Sequence, residues 1–176
     1  MVRTESNKRN HILPINPLQT KQTIKQMNYQ SILDALGPCG INCQKCFAFK
    51  NGVIRESSEA LKNNLGNFEE YAKRFADLLN APVFDKYPDF KEMLDYFASS
   101  NCSGCRKQEC HLFTSCNVRN CYKEKSVDYC FQCNEFPCSH TGFDSHLEQR
   151  WIRINQRMKA IGVENFYSEI KDKTRY

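Results

Sequence analysis

A chain of 176 residues, 40% hydrophobic and 12% aromatic, carries enough apolar material for one modest core, which excludes disorder throughout. No run approaches the roughly eighteen apolar residues that read as a membrane-spanning helix, and a mean hydropathy of -0.66 implies a strongly polar surface. The formal charge of +5 is weak support for a nucleic-acid partner, because eight thiolates holding two divalent ions would bring it to about +1.

Residues 1–30 read as a flexible tail: they carry Pro14 and Pro17, and no apolar period is sustained up to Gln26. Met27 is an alternative start, since Asn28 to Leu33 leads straight toward the first cysteines. The tail has no apolar stretch resembling a signal peptide, and eleven cysteines are an odd number. Disulfides therefore fit poorly, and a reducing cytoplasm is the expected compartment. One metal-binding domain is expected over 31–176, mainly α, with a loop-rich core stapled by cysteine and metal and little regular β.

The first cysteine cluster, Cys39-x-x-x-Cys43-x-x-Cys46, precedes a cysteine-free helical insert over 57–98. Leu61, Leu65, Phe68, Ala72, Phe75 and Leu79 recur at steps of four and three, one face of a helix. Gly66 splits this run, and Asn67 with Glu70 reads as a fresh N-cap with its capping-box partner, predicting helices over 57–65 and 67–80. Pro82 ends the second; a third is predicted from Pro88 through Phe90, Met93, Leu94 and Phe97 to Ala98. After the last cysteine, Leu147, Trp151, Ile154, Met158 and Ile161 repeat the helical step up to Gly162. A shorter helix over Val163–Lys171 completes a C-terminal helical region of about 146–171. All these stripes predict core-facing packing.

Between insert and C-terminal helices lies a second series: Cys102-x-x-Cys105, Cys110, Cys116, Cys121, Cys130-x-x-Cys133 and Cys138. Two residues between cysteines allow a tight turn to aim both sulfurs at one ion while backbone N–H groups donate to the thiolates. Gly104 and Asn134 tolerate the left-handed backbone of such turns. The candidate metal ligands are Cys39, Cys43, Cys46, Cys102, Cys105, Cys116, Cys121, Cys130, Cys133 and Cys138, forming two four-thiolate sites. One grouping joins Cys39, Cys43 and Cys46 to a C-terminal cysteine. A second site then draws on Cys102, Cys105, Cys116 and Cys121, with Cys130, Cys133 and Cys138 divided between the two. Cys110 is the expected bystander. His111 and His140 stand close enough to cysteines to replace a thiolate, although isolated histidines in loops more often face solvent; His11 and His146 are weaker candidates.

Zinc is the favoured cofactor, because separate C-x-x-C knuckles are typical of structural zinc sites. An iron-sulfur cluster is the alternative. It gains from Cys130-x-x-Cys133 followed by Pro137-Cys138, and from Phe47, Phe49, Phe113, Phe131 and Phe136, which could keep water away from either metal.

The run Gly37-Pro38-Cys39-Gly40-Ile41-Asn42-Cys43-Gln44-Lys45-Cys46, the Cys102 to Arg106 knuckle, Cys116 to Cys121, and Cys130 to Cys138 together resemble a cysteine-rich family of bacteria and archaea, domain of unknown function 3795. The resemblance covers about residues 37–138. It implies recurring cysteines at the ten candidate positions, with Cys110 extra, and metal binding without an assigned reaction.

Three functions compete. The spacing of Cys39, Cys43 and Cys46 matches radical S-adenosylmethionine enzymes, but Lys45 stands where those usually carry an aromatic, and the chain cannot supply their β/α barrel. Redox chemistry through iron-sulfur, or at Cys110 flanked by Glu109 and His111, is a second option, with no third catalytic partner. The third is an interaction module contacting protein or nucleic acid through Arg150, Arg153 and Arg157, with Arg106, Lys107, Arg119, Lys123 and Lys125 among the cysteines. The plainer account of those cations is a solvated face and compensation of thiolate charge. No phosphate loop, nucleophile elbow or paired-carboxylate motif is found, so an enzyme is not the favoured expectation.

Overall fold

The computed structural model describes residues 28–107, 110 and 112–176. The expected tail falls outside the described residues up to position 27, as do Glu109, His11 and His111. Among the described residues the chain is mainly α, with two isolated β-bridges and no longer strand.

Among the described residues the first helix is α1 (Asn28–Ala35), which the sequence analysis does not predict. Its Ile32, with the following Leu36, is fully buried against Tyr129, Met158, Val163 and Phe166, and this cluster is the core of the cysteine-bearing part. Tyr29, Ile32, Leu33 and Leu36 have the three-and-four spacing of an amphipathic helix, but the stripe is only about two turns long.

The insert forms three helices, α2 (Val53–Leu65), α3 (Phe68–Leu78) and α4 (Tyr87–Ala98), with a 3-10 turn over Pro82–Lys86. Gly66 ends α2 as expected, at φ 54. Asn67 does not cap α3 with its side chain; its Nδ2 instead lies 3.5 Å from Glu70 Oε2, and the first-turn acids Glu69 and Glu70 favour the helix N-terminus. Phe68 packs edge-on to Tyr87 at 5.1 Å and beside Phe75 and Phe84, an aromatic cluster of the insert's own. The stripe is only partly core-facing: Ala72 is buried, whereas Leu61 and Leu79 stay exposed.

The insert leaves and returns at one point. Lys50 N–H donates to Cys102 O at 2.9 Å and Cys102 N–H to Ala48 O at 2.9 Å, a parallel bridge between the two cysteine segments. Arg55 donates to Ala98 O and Lys50 O across the same junction. Cys46 and Cys102, far apart in sequence, are thereby neighbours.

A short helix, α5 (Val118–Glu124), and a 3-10 turn over Cys130–Gln132 follow. Then comes α6 (Ser145–Ile161), capped by Asp144 Oδ1 accepting from Leu147 N–H at 2.9 Å, and after Gly162 the terminal α7 (Val163–Ile170). Leu147, Trp151 and Met158 of the predicted stripe are buried; so is Asn155, which the apolar stripe passed over.

Gly40 lets the first cysteine loop lie directly on α6. Its φ is +83, and a Cβ there would meet Ile154 Cγ2 at 2.4 Å and Met158 Cε at 2.5 Å. Gly40→Ala is expected to cost about 2–4 kcal/mol through backbone strain and overpacking, measured as a lower denaturation midpoint. An unchanged midpoint would show that the loop does not need this close approach.

Candidate metal centres

The first cysteine loop turns tightly after α1: Gly37 N–H donates to Ile41 O, Gly40 N–H to Gly37 O, and Cys43 N–H to Ala35 O. Cys46 N–H then donates to Cys43 O at 3.0 Å, closing the C-x-x-C turn; Cys133 N–H to Cys130 O does the same in the last knuckle. In the middle knuckle Gly104 N–H donates to the Cys102 sulfur at 3.4 Å, the backbone-to-sulfur bond that the spacing predicts.

Two cavities collect all eleven cysteine side chains. Cys121, Cys130, Cys133 and Cys138 line one of about 40 Å³, roofed by Val118, Phe136 and Trp151, with the exposed His140 at its wall. Cys39, Cys43, Cys46, Cys102, Cys105, Cys110 and Cys116 line another of about 50 Å³, with Leu112, Phe113, Phe143, Leu147 and Arg175. None of the eleven is in a disulfide. Among the described residues no three Cys, His, Asp or Glu side chains form a closed metal-holding group.

This partition departs from the expected grouping. Cys121 lies on α5, with Cys130, Cys133 and Cys138, whereas Cys116 precedes that helix and faces the larger cavity. Cys110 is no bystander by position: it is buried, and Cys105 lies within hydrogen-bonding reach of both Cys110 and Cys43. No spacing signal marked Cys110, because it belongs to no C-x-x-C pair.

The sulfurs differ in electrostatic surroundings. The Cys105 thiol, between Cys110 and Cys43, is held protonated by these two neighbours and by burial. Cys43 and Cys110 are in turn held below the ordinary thiol range by their proximity to Cys105, against burial, with Arg175 contributing a smaller pull on each. Cys39, deep in the same cavity, is pushed well above the ordinary thiol range by burial. Burial also raises Cys116, opposed by the backbone N–H groups of Val118 and Arg119. In the smaller cavity burial lifts Cys130 to about 11 while the Trp151 indole favours its thiolate.

Each cavity keeps one buried donor unspent. Trp151, 1% exposed, has no hydrogen-bond partner for Nε1, although the indole is near enough to Cys130 to bias its charge. Arg175 Nε is likewise buried without a partner at the wall of the seven-cysteine cavity. A buried unpaired N–H is costly, and a thiolate beside it is the acceptor that removes the cost. These two donors suit thiolate acceptors, while among the described residues no three side chains are already arranged around an ion.

Most cations among the cysteines are spent internally. Arg106 donates to Leu36 O at 3.0 Å and Asp128 O at 2.6 Å and stacks over Tyr122 and Tyr129. Lys107 pairs with Asp34 and Lys125 with Glu135. On α6, Arg157 is bound by Glu169 of α7, and Arg150 donates to Arg175 O. Arg153 alone of the predicted basic face has no described partner.

The fold and site together define a small α-helical protein built around two cysteine-lined cavities. A family model described as "Protein of unknown function (DUF3795)" matches residues 35–142, more than half of the chain, and the chain belongs to that family. No curated protein and no solved structure matches it. No helix of the described residues is long and apolar enough to cross a membrane.

Proposed function

We propose that this is a thiolate metal-binding protein whose two cavities hold zinc, and that the metal supplies much of the folding energy of residues 39–138. The supporting observation is the sorting of all eleven cysteines into two cavities, each with one buried donor lacking a partner. At about 40 Å³, the four-cysteine cavity is far below the roughly 300–1,000 Å³ of an organic-ligand pocket and suits an ion. Cys121, Cys130, Cys133 and Cys138 would hold it; bound there, zinc cross-links α5 to the last knuckle. Iron-sulfur is the second reading, favoured by the seven sulfurs of the other cavity, which exceed the four that one zinc takes.

Elemental analysis and an absorption spectrum decide between them, on protein purified without oxygen or added metal. Zinc near two per chain with no colour is the expected result, and chelation should then abolish the near-ultraviolet circular dichroism. Iron with sulfide and a brown chromophore would move the protein to electron transfer or redox sensing. Metal-free protein that keeps its tertiary signal would sink both readings.

A further inference from the structure

A third cavity, of about 220 Å³, lies where the first cysteine loop meets α6, α7 and the C-terminal residues. Lys45, Arg150, Arg153, Lys173 and Arg175 line it, and no carboxylate does among the described residues. Five cations around one concavity repel one another; Arg175 also acts on the Cys43 and Cys110 sulfurs and Glu169 lies near Lys173, but no acid in the lining balances the group.

Two of the five are fixed by backbone carbonyls, which accept hydrogen bonds without cancelling charge. Arg150 Nη2 donates to Arg175 O at 2.7 Å, and Arg175 Nη1 donates to Asn42 O at 2.9 Å. The side chains of Lys45 and Arg153 have no described hydrogen bond or ion pair, and Lys173 feels only the neighbouring Glu169. Elsewhere on the same helices the opposite solution is used, since Arg157 is paired with Glu169. Ile154, Phe166 and Ile170 give the cavity an apolar floor.

We propose that this cavity binds a small phosphate-bearing ligand, its phosphate held by Lys45, Arg153 and Arg175 and its organic part resting on Ile154 and Ile170. The Arg175 guanidinium, fixed in advance by the Asn42 carbonyl, suits phosphate oxygens, because little of its side-chain freedom is lost when the anion arrives. The volume lies below the roughly 300–1,000 Å³ of drug-sized pockets, which favours a phosphate monoester or diphosphate over a larger cofactor. This site goes beyond the metal reading and does not depend on which metal is bound. Arg175 nevertheless lines both this cavity and the seven-cysteine one.

Calorimetric titration of the full chain, as purified with its metal, with inorganic pyrophosphate tests the site. Saturable one-to-one binding is expected, weakened about tenfold or more by K45A combined with R153A, the loss of two charge-assisted contacts. Arg157→Ala, outside the cavity, should leave affinity within about twofold. Arg153→Ala alone, on an exposed side chain, serves as the second variant should the double one misfold. A parallel titration with a short oligodeoxythymidine separates free phosphate compounds from a nucleic-acid backbone. Absence of pyrophosphate binding, equal binding by the double variant, or binding of the oligonucleotide alone would overturn the proposal.

Discussion

Asn155→Leu is expected to remove about 3–5 kcal/mol of stability, seen as a fall in denaturation midpoint at unchanged slope. The side chain is fully buried, and every polar atom it has is used. Its Nδ2 donates to Cys39 O at 2.9 Å and to Trp151 O at 3.0 Å, while its Oδ1 accepts from Phe131 N–H at 3.1 Å. Leucine fills nearly the same volume but strands the Cys39 carbonyl and the Phe131 amide, each costing about 1–3 kcal/mol when buried alone. Domains of this size hold only about 5–15 kcal/mol in total, so both cysteine segments should loosen together. A loss below about 1 kcal/mol would show that water replaces the amide and that Asn155 is not the tie between them.

Cys133→Ser and Cys121→Ser are expected to lose the same metal, about half of the chain's content, while Cys105→Ser loses the other. This rests on the partition of sulfurs between the two cavities, with Cys121 beside Cys133 and apart from Cys105 and Cys116. Under the grouping first drawn from spacing, Cys121 would instead share its ion with Cys102, Cys105 and Cys116. Quantifying bound metal in each purified variant separates the two schemes: a Cys121→Ser protein whose remaining metal resists Cys105→Ser would contradict the partition. Circular dichroism of each variant shows whether it has kept its helices.

The helices of the insert and of the C-terminal region were legible because their cause is local, whereas α1 and the short α5 were not. Leu147, Trp151 and Met158 repeat at the helical period, and Gly66 and Gly162 end their helices through backbone conformations that other residues rarely adopt. The tight turns of the knuckles were also legible, since two intervening residues suffice to turn a chain back on itself. The sharing of sulfurs was not. Cys116 and Cys121 look like neighbours in sequence, but α5 begins between them at Val118, and a turn of about 100° per residue sends their side chains to different cavities. Asn155 was hidden for a related reason: a polar residue on an apolar face is silent in a hydropathy pattern, and only the carbonyl and amide it meets explain it. Arg106 read as surface charge, whereas its guanidinium spans Leu36 and Asp128. In each case the deciding partner lies far along the chain.

The rung that joins Lys50, Cys102 and Ala48 has a consequence for how such a protein can vary. Because the chain departs and comes back through adjacent hydrogen bonds, the helices between behave as an appendage on a closed base, and their length is not coupled to the spacing of sulfurs beneath. Natural or engineered chains can therefore lengthen, shorten or exchange that appendage, and with it the exposed Leu61, Tyr71, Leu79 and Met93 it displays, while one sulfur architecture is kept.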